Sequence, residues 1–206
     1  MFLGHMVTHG ETQMARPREF DEGTALEAAM ACFWRRGYEA TSMRDLVRSM
    51  GISGPSLYNA FGDKRALFRA ALERYLDQSP RARIKRLEAS LPPKDAIRQF
   101  IEEIIERSLN DRKRRGCFLI NSALEVAPHD RELGALIAER LGEIEAFFLR
   151  SIEAAQREGA VRPDLVAKDV ARLLLGVLLG IRVLARAKPQ RPLLEGVARP
   201  ALALLD

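Results

Sequence analysis

Cysteine, tryptophan and long apolar runs are all scarce in this chain. Among 206 residues there are two cysteines, Cys32 and Cys117, and one tryptophan. Two thiols without a ligand-like spacing exclude a disulfide framework and a cysteine-rich metal site. The longest apolar run, residues 173–181, is too short to span a bilayer. We therefore expect no metal, no cofactor and no membrane partner, and we expect a cytoplasmic protein.

Signals for β-strands and for secretion are also weak. Alternating β-branched runs and Asn-Gly or Asp-Gly hairpin turns are missing, whereas helical periodicity runs through most of the chain, so the sequence predicts an all-α protein. No secretory signal is evident near residue 1, because the first apolar residues are soon followed by polar ones. We expect residues 1–13 to be a disordered extension, with Met1 or Met14 as the native start.

The positive charge of the chain is unevenly distributed. The net charge is +5, yet residues 1–80 hold as many acidic as basic residues. The excess lies in residues 81–115, which end in the basic run 112–115. Such a run is most often a solvated loop or helix end, and the high isoelectric point is therefore no argument for binding nucleic acid.

Residues 41–68 carry the strongest pattern in the chain. Two short amphipathic segments, 43–50 and 54–61, are joined by a tight Gly-Ile-Ser connection. Gly51 stands where a helix ends in the left-handed conformation, and Ser53 precedes the second segment as an N-cap. Pro55 falls in the first turn, where its missing N–H costs nothing. This arrangement predicts a helix-turn-helix whose second helix enters the major groove of DNA, and the alternative is an ordinary corner between two helices.

The second helix of this motif has a distinctive outer face. Leu57 and Phe61 are four residues apart and point inward, which leaves Ser56, Tyr58 and Asn59 outside. A helix that approaches base edges needs small residues at its tip, hydrogen-bonding groups behind them and a phosphate anchor. The outer face meets each of these requirements.

The remaining chain is predicted to be helical as well. We predict helices over residues 21–36, 43–50, 54–61, 63–80, 95–109, 116–127, 130–158, 167–187 and 193–204. Residues 14–62 are predicted to form the DNA-binding domain, and residues 63–206 a regulatory and dimerisation domain. The segment 173–181 is apolar around most of its circumference, and Gly176 and Gly180 allow close helix approach. A second copy of the chain is the simplest cover for it, which predicts a homodimer.

The chain resembles TetR/AcrR-family transcriptional regulators over residues 14–75, where MARPREFD, FWRRGYEATSMRDLVRSMGIS and SLYNAFGDK match that family's DNA-binding module. The resemblance implies an all-helical dimer that binds a palindromic operator and releases it when a small molecule binds. By position, it implies base contacts from Arg44, Gly54, Pro55 and Asn59, phosphate contacts from Thr41, Ser42, Ser53, Ser56, Tyr58 and Lys64, and a basic N-terminal arm containing Arg16 and Arg18. Gly54 and Ala60 depart from the bulkier residues common in the family, which leaves the operator sequence open.

A second resemblance concerns residues 114–130. The segment is similar to a subgroup in which a cysteine near the start of the seventh helix reacts with electrophiles or oxidants. Cys117 follows two arginines and a glycine at a predicted helix start, where cations and the helix dipole favour a thiolate. The alternative is a buried, space-filling cysteine. Our candidate ligand or sensor residues are Cys117, Asn121, Ser122 and Glu125.

These observations lead to one main hypothesis and two alternatives. The main hypothesis is a dimeric repressor that a small molecule or a thiol modification releases from DNA. The first alternative is an activator of the same fold. The second is a helical enzyme using Cys117, Glu125 and His129. We expect no enzyme, because the cysteine and the glutamate lie about 12 Å apart along a straight helix and no catalytic motif appears.

Overall fold

A computed structural model describes residues 20–206, so Met14, Arg16 and Arg18 lie outside the described residues. Within that range there are ten α-helices, one π-helical turn and no strand, which confirms the all-α prediction. The helices are α1 (Glu22–Arg36), α2 (Met43–Met50), α3 (Gly54–Phe61), α4 (Lys64–Leu76), α5 (Ala82–Ser90), α6 (Pro93–Leu109), α7 (Phe118–Glu125), α8 (Arg131–Arg157), α9 (Ala167–Ala187) and α10 (Arg191–Ala203).

Helices α1 to α4 form the N-terminal part of the molecule. Asp21 caps α1 by accepting a hydrogen bond from the Thr24 N–H, and Gly37 ends the helix at φ +88°. The inner faces of the four helices meet in an apolar core. Each helix contributes at least one fully buried side chain to it, namely Phe33, Leu46, Leu57 and Phe68. Helix α4 also packs against α1, so the first three helices are held in place by the helix that follows them.

The fourth helix is shorter than predicted. It ends at Leu76 and continues into a π-helical turn, Asp77–Arg81, which contains Pro80 and leads into α5. Proline has no N–H to donate to the preceding turn, and a π-turn accommodates such a local disturbance without ending the rod. The predicted helix over residues 63–80 is therefore corrected to an α-helix followed by a π-turn, and α5, which follows directly, was not among the predicted helices.

Helices α6 and α8 to α10 make up most of the C-terminal core. Phe100, Phe147 and Phe148 are buried at its centre, with ring centroids 5.2 to 5.5 Å apart. Helix α7 is shorter than the predicted 116–127, because Gly116 has φ +74° and Cys117 serves as the N-cap. No helix within residues 20–206 is both long and apolar enough to cross a membrane. The division of the chain at residues 62 and 63 stays a prediction.

Candidate DNA-binding surface and regulatory cavity

The corner between α2 and α3 has the local chemistry that the sequence predicts. Ser42 forms a capping box with Asp45 at the start of α2, and Gly51 ends that helix in the left-handed region, at φ +67° and ψ +27°. The Ser53 hydroxyl accepts the Ser56 N–H, which caps α3. Leu57 is completely buried and anchors α3 against its neighbours. The corner is therefore held by caps at both helix starts and by apolar packing.

The outer face of α3 is exposed and polar. Tyr58 is 55% exposed, and Asn59 is exposed beside it. A Cβ atom added at Gly54 would have no neighbour within 4 Å, so the tip of the helix is bare backbone. Small groups at the tip and hydrogen-bonding groups behind it suit close approach to base edges. The structure thus brings together the predicted α3 contacts, Ser53, Gly54, Pro55, Ser56, Tyr58 and Asn59.

Thr41 is a correction to the predicted phosphate contacts. Its side chain is completely buried, and its hydroxyl donates a 2.5 Å hydrogen bond to the Gly37 carbonyl. The hydroxyl is therefore committed to the loop between α1 and α2. Ser42, its neighbour, is exposed, although its hydroxyl also bonds Asp45. Sequence reasoning treated both hydroxyls alike, since their burial depends on how the loop packs.

Two predicted cationic contacts flank α3. Arg44 is exposed on α2, where the neighbouring Asp45 carboxylate is occupied by Arg36 at 2.9 Å. The Lys64 ammonium lies 4.3 Å from the centroid of the Tyr38 ring, a cation–π contact that holds it at the start of α4. The predicted arm residues Arg16 and Arg18 lie outside the described residues. The DNA-contacting roles of all these residues stay predictions.

Helix α7 contacts the DNA-binding helices through Glu125. Its carboxylate accepts the Glu39 N–H at 3.0 Å, in the loop between α1 and α2. A Cβ atom at Gly37 would lie only 2.5 Å from a Glu125 oxygen, so a side chain at this position would push the carboxylate aside. Glu125 therefore joins α7 to the loop between α1 and α2, and its predicted ligand contact stays a prediction.

A second connection joins the starts of α4 and α8. Arg65 pairs with Asp130 at 2.7 Å and with Glu132 at 2.8 Å. Asp130 is also the N-cap of α8, and its pKa is lowered first by the backbone N–H of Leu133 and then by Arg65. Because these side chains are partly exposed, solvent weakens the pair. The main effect of this ion pair is to fix the orientation of α4 relative to α8.

An aromatic cluster forms a third contact, which joins α7 to the helices α1 and α4. The Phe118 ring, at the first position of α7, lies 5.5 Å from Phe68 and 5.8 Å from Tyr75, both on α4. Trp34 of α1 lies 5.0 Å from Tyr75 and 6.4 Å from Phe118. Close-packed rings resist independent displacement. The start of α7 therefore packs directly against both α1 and α4.

Cys117 lies beside this cluster, on the wall of a small internal cavity. The cavity has a volume of about 30 Å³, enough for one or two water molecules. The Tyr75 hydroxyl donates to the Cys117 sulfur at 3.3 Å, and burial raises the pKa of Tyr75. Ser79 and Pro80 of the π-turn line the same cavity. Cys117 as a whole residue is partly exposed, whereas Cys32 is buried.

The other candidate ligand residues do not join Cys117 at this cavity. Asn121, Ser122 and Glu125 line a separate cleft of about 270 Å³ between α1 and α7. Ser122 is buried and donates to the Phe118 carbonyl, whereas Asn121 donates to the Arg115 carbonyl. The four residues are spread over two places because a helix turns its side chains to different neighbours. For the same reason Cys117 and Glu125 do not form the common site that the enzyme alternative requires.

Sequence reasoning missed several residues around the Cys117 cavity. Tyr75, Arg83, Arg107 and Arg182 all line it. In the sequence, Arg182 is the charged residue that follows the apolar run 173–181. Its neighbours in the chain do not distinguish it from a solvated arginine. It is nevertheless 5% exposed, since α6 and the segment before α7 cover it. Only tertiary packing reveals this burial.

A helix-turn-helix with an exposed α3 face, joined to a helical part that contains a cavity, defines a DNA-binding regulator. Residues 25–71 match the family "Bacterial regulatory proteins, tetR family". Residues 93–199 match the family "Tetracyclin repressor-like, C-terminal domain". The chain belongs to the TetR family of transcriptional regulators, as the resemblance in residues 14–75 predicts.

Individual relatives agree with this assignment over nearly the whole chain. The chain is 32% identical to the uncharacterized HTH-type transcriptional regulator YezE of Bacillus subtilis, covering 94% of this chain and 100% of YezE. It is 30% identical to the HTH-type transcriptional repressor ComR of Escherichia coli, covering 92% and 90%. One similar solved structure is a cysteine-substituted variant of the TetR-family regulator CifR in complex with 26-base-pair operator DNA. It superposes on this chain with a TM-score of 0.82 at 33% sequence identity. The match covers 92% of this chain and 98% of that chain.

Proposed function

We propose that the chain is a cytoplasmic, dimeric repressor whose release from a palindromic operator is triggered at the Cys117 cavity. The observation that best supports this proposal is the position of the Cys117 thiol. Cys117 is the N-cap of α7, faces the cavity and accepts a hydrogen bond from Tyr75 of α4. A change at this sulfur therefore acts on the two helices that connect the cavity with the DNA-binding part. The repressor name of ComR and the operator complex of CifR support the proposal.

An apolar stripe on α9 supports the dimer. Leu173 is 45% exposed and Val183 is 48% exposed, and both lie on the same face of the helix. A Cβ atom at Gly176, between them on that face, would meet nothing within 4 Å. An exposed apolar stripe of this kind marks a protein interface, and a two-fold axis lets one stripe cover its own copy. In such a dimer the two α3 helices reach half-sites about one helical turn apart.

The proposed route from Cys117 to DNA runs through Tyr75, Phe118 and Glu125. A group added to the sulfur displaces the Tyr75 hydroxyl and crowds the neighbouring Phe118 ring. Movement of α7 then loosens the Glu125 contact with the loop between α1 and α2. The separation of the two α3 helices changes, and their fit to the operator half-sites is lost. This is a population shift between two arrangements of the dimer.

The test compares operator release by a thiol-specific electrophile in matched variants. An operator is first defined by binding-site selection from random DNA. N-ethylmaleimide is then added to the parent, to Cys117→Ser and to Cys32→Ala, and DNA binding is followed by fluorescence anisotropy. Cys32 is 2% exposed in the core and is the only other cysteine, so it is the natural control. The parent and Cys32→Ala should release DNA, whereas Cys117→Ser should retain it.

Intact-mass measurement accompanies each anisotropy trace. One adduct is expected on the parent and none on Cys117→Ser. Equal DNA release by the parent and Cys117→Ser would show that the trigger does not act through this thiol. A reporter gene placed behind the selected operator separates repression from activation: deleting the regulator raises expression if the chain is a repressor and lowers it if the chain is an activator.

A further inference from the structure

Arg182 is a buried cation without a carboxylate partner among the described residues. Its side chain is 5% exposed on α9. One terminal nitrogen donates to the Ser108 hydroxyl at 2.9 Å, and the other donates to the Gly116 carbonyl at 2.7 Å. Its Nε has no acceptor in the described structure. Both acceptors are neutral, and burying a guanidinium without a compensating negative charge is costly.

Two further arginines increase the positive charge at the same place. Arg107 lines the Cys117 cavity together with Arg182, and it donates to the Ser79 hydroxyl rather than to a carboxylate. Arg83 pairs with Glu103 at 3.0 Å, and its pKa is lowered by burial and by the charge of Arg107. The cations on this wall outnumber the carboxylates that pair with them within residues 20–206.

The basic run between α6 and α7 surrounds the outer side of Arg182. Arg107 and Arg182 also line a second cavity of about 340 Å³, whose other cations are Arg112, Lys113 and Arg115. Its one lining carboxylate is Asp111, which accepts the Gly116 N–H and lies 3.7 Å from Arg115. Trp34 supplies the aromatic part of the lining, and the Arg115 guanidinium stacks on its ring, 4.3 Å from the ring centroid. We call this cavity the basic pocket.

We infer that the basic pocket binds a small organic anion, with its carboxylate or phosphate on Arg182 and Arg107 and its apolar part against Trp34. Guanidinium groups suit both head groups because their donors match paired oxygens. A volume of about 340 Å³ accommodates a molecule with a short apolar chain. The bound anion supplies the negative charge that Arg182 lacks.

This inference rests on the proposed function, because it names the chemical class of the effector for the same regulatory region. Arg182 holds the carbonyl of Gly116, the residue immediately before Cys117. An anion that draws the guanidinium toward itself therefore acts on the segment that positions the thiol. Anion binding and thiol modification thus converge on the start of α7.

The experiment uses Trp34, the only tryptophan of the chain, as the reporter. The purified full chain is titrated with hexanoate, hexyl phosphate and the neutral analogue hexanamide, with sodium chloride keeping the ionic strength equal. Saturable changes in tryptophan emission are expected with at least one anion, accompanied by a higher thermal midpoint. Hexanamide should produce neither effect. The anion that binds with the lower dissociation constant identifies the head group that the pocket prefers.

Matched variants locate the binding site. Arg182→Gln and Arg107→Gln should each weaken binding by about tenfold or more, since each removes a charge-assisted hydrogen bond. Arg199→Gln, at an exposed position of α10, should bind as the parent does. If Arg182→Gln does not fold, Arg107→Gln provides the same comparison at a more exposed site.

The inference is overturned if hexanamide binds as tightly as the anions, if no probe binds, or if Arg182→Gln and Arg107→Gln both bind like the parent. The titration needs neither operator DNA nor a reactive thiol. Failure of anion binding is therefore distinguishable from failure of the Cys117 trigger, because the N-ethylmaleimide experiment reports on the latter alone.

Discussion

At the scale of single residues, the DNA-binding surface separates into groups that hold the corner and groups that remain available. The Thr41 hydroxyl donates a hydrogen bond to the Gly37 carbonyl. The Ser53 and Ser56 hydroxyl oxygens lie 2.7 Å apart in the cap of α3. Tyr58 and Asn59 are exposed, and no cap uses either side chain. We therefore expect these two side chains to contribute differently to affinity and to base preference.

The first prediction concerns Tyr58 and Asn59. Tyr58→Phe should weaken DNA binding about three- to tenfold on every sequence, since it removes a hydrogen bond to phosphate. Asn59→Ala should change the preferred base at one position of each half-site by about 1–3 kcal/mol, because asparagine reads base edges. Binding-site selection with both variants checks this. An unchanged base preference for Asn59→Ala would remove Asn59 from the set of base-reading residues.

At the scale of helices, the contact between α7 and the loop after α1 depends on one glycine. Gly37 has φ +88° and ψ +169°, a backbone conformation that is essentially restricted to glycine. The Glu125 carboxylate occupies the space in which a Cβ atom would lie. Gly51 also has positive φ, but a Cβ atom there would meet nothing within 4 Å. Gly51 therefore serves as a reference for positive φ without a crowded Cβ position, and removal of the Glu125 side chain isolates the contact at Gly37.

The second prediction follows from that comparison. Gly37→Ala should destabilise the fold by about 2–4 kcal/mol, from backbone strain and displacement of Glu125. Gly51→Ala should cost only about 1 kcal/mol, from its left-handed conformation. Thermal unfolding of the two variants measures the difference. Adding Glu125→Ala to Gly37→Ala should recover part of the loss, and no recovery would argue that the carboxylate is not the obstacle.

At the scale of the whole molecule, the arrangement requires a second copy. The apolar stripe of α9 stays exposed in the single chain, although its other face packs into the C-terminal core. A regulator that reads two half-sites must also fix the distance between two α3 helices. The same interface therefore covers apolar surface and sets the spacing on DNA, so that dimer formation and operator binding should be lost together.

The third prediction tests this dependence. Val183→Glu should lower dimer affinity by at least about tenfold, because the interface would bury an unpaired charge. Light scattering coupled to size-exclusion chromatography measures the mass, and anisotropy measures operator binding. Leu124→Glu, at a 67% exposed residue of α7, should remain dimeric. A dimeric Val183→Glu variant would place the interface elsewhere.

The helices and the corner between α2 and α3 were predictable because their signals are local. Ser42, Ser53 and Asp63 cap helices as their positions in the sequence indicate, and Gly51 has the expected left-handed conformation. Each of these interactions joins residues at most four positions apart. The π-turn after Leu76 was not predicted, because Pro80 is compatible with more than one local geometry.

The chemistry of the regulatory region was decided by tertiary structure. Cys117 and Glu125 share one helix, yet the first contacts Tyr75 and the second contacts the Glu39 backbone. Arg182 is buried by residues from 66 to 74 positions away in the chain. The amino-acid sequence alone determines the caps of the first four helices and which face of α3 is free. Burial, charge compensation and contact between distant segments depend on how the helices pack, and local propensity does not encode these.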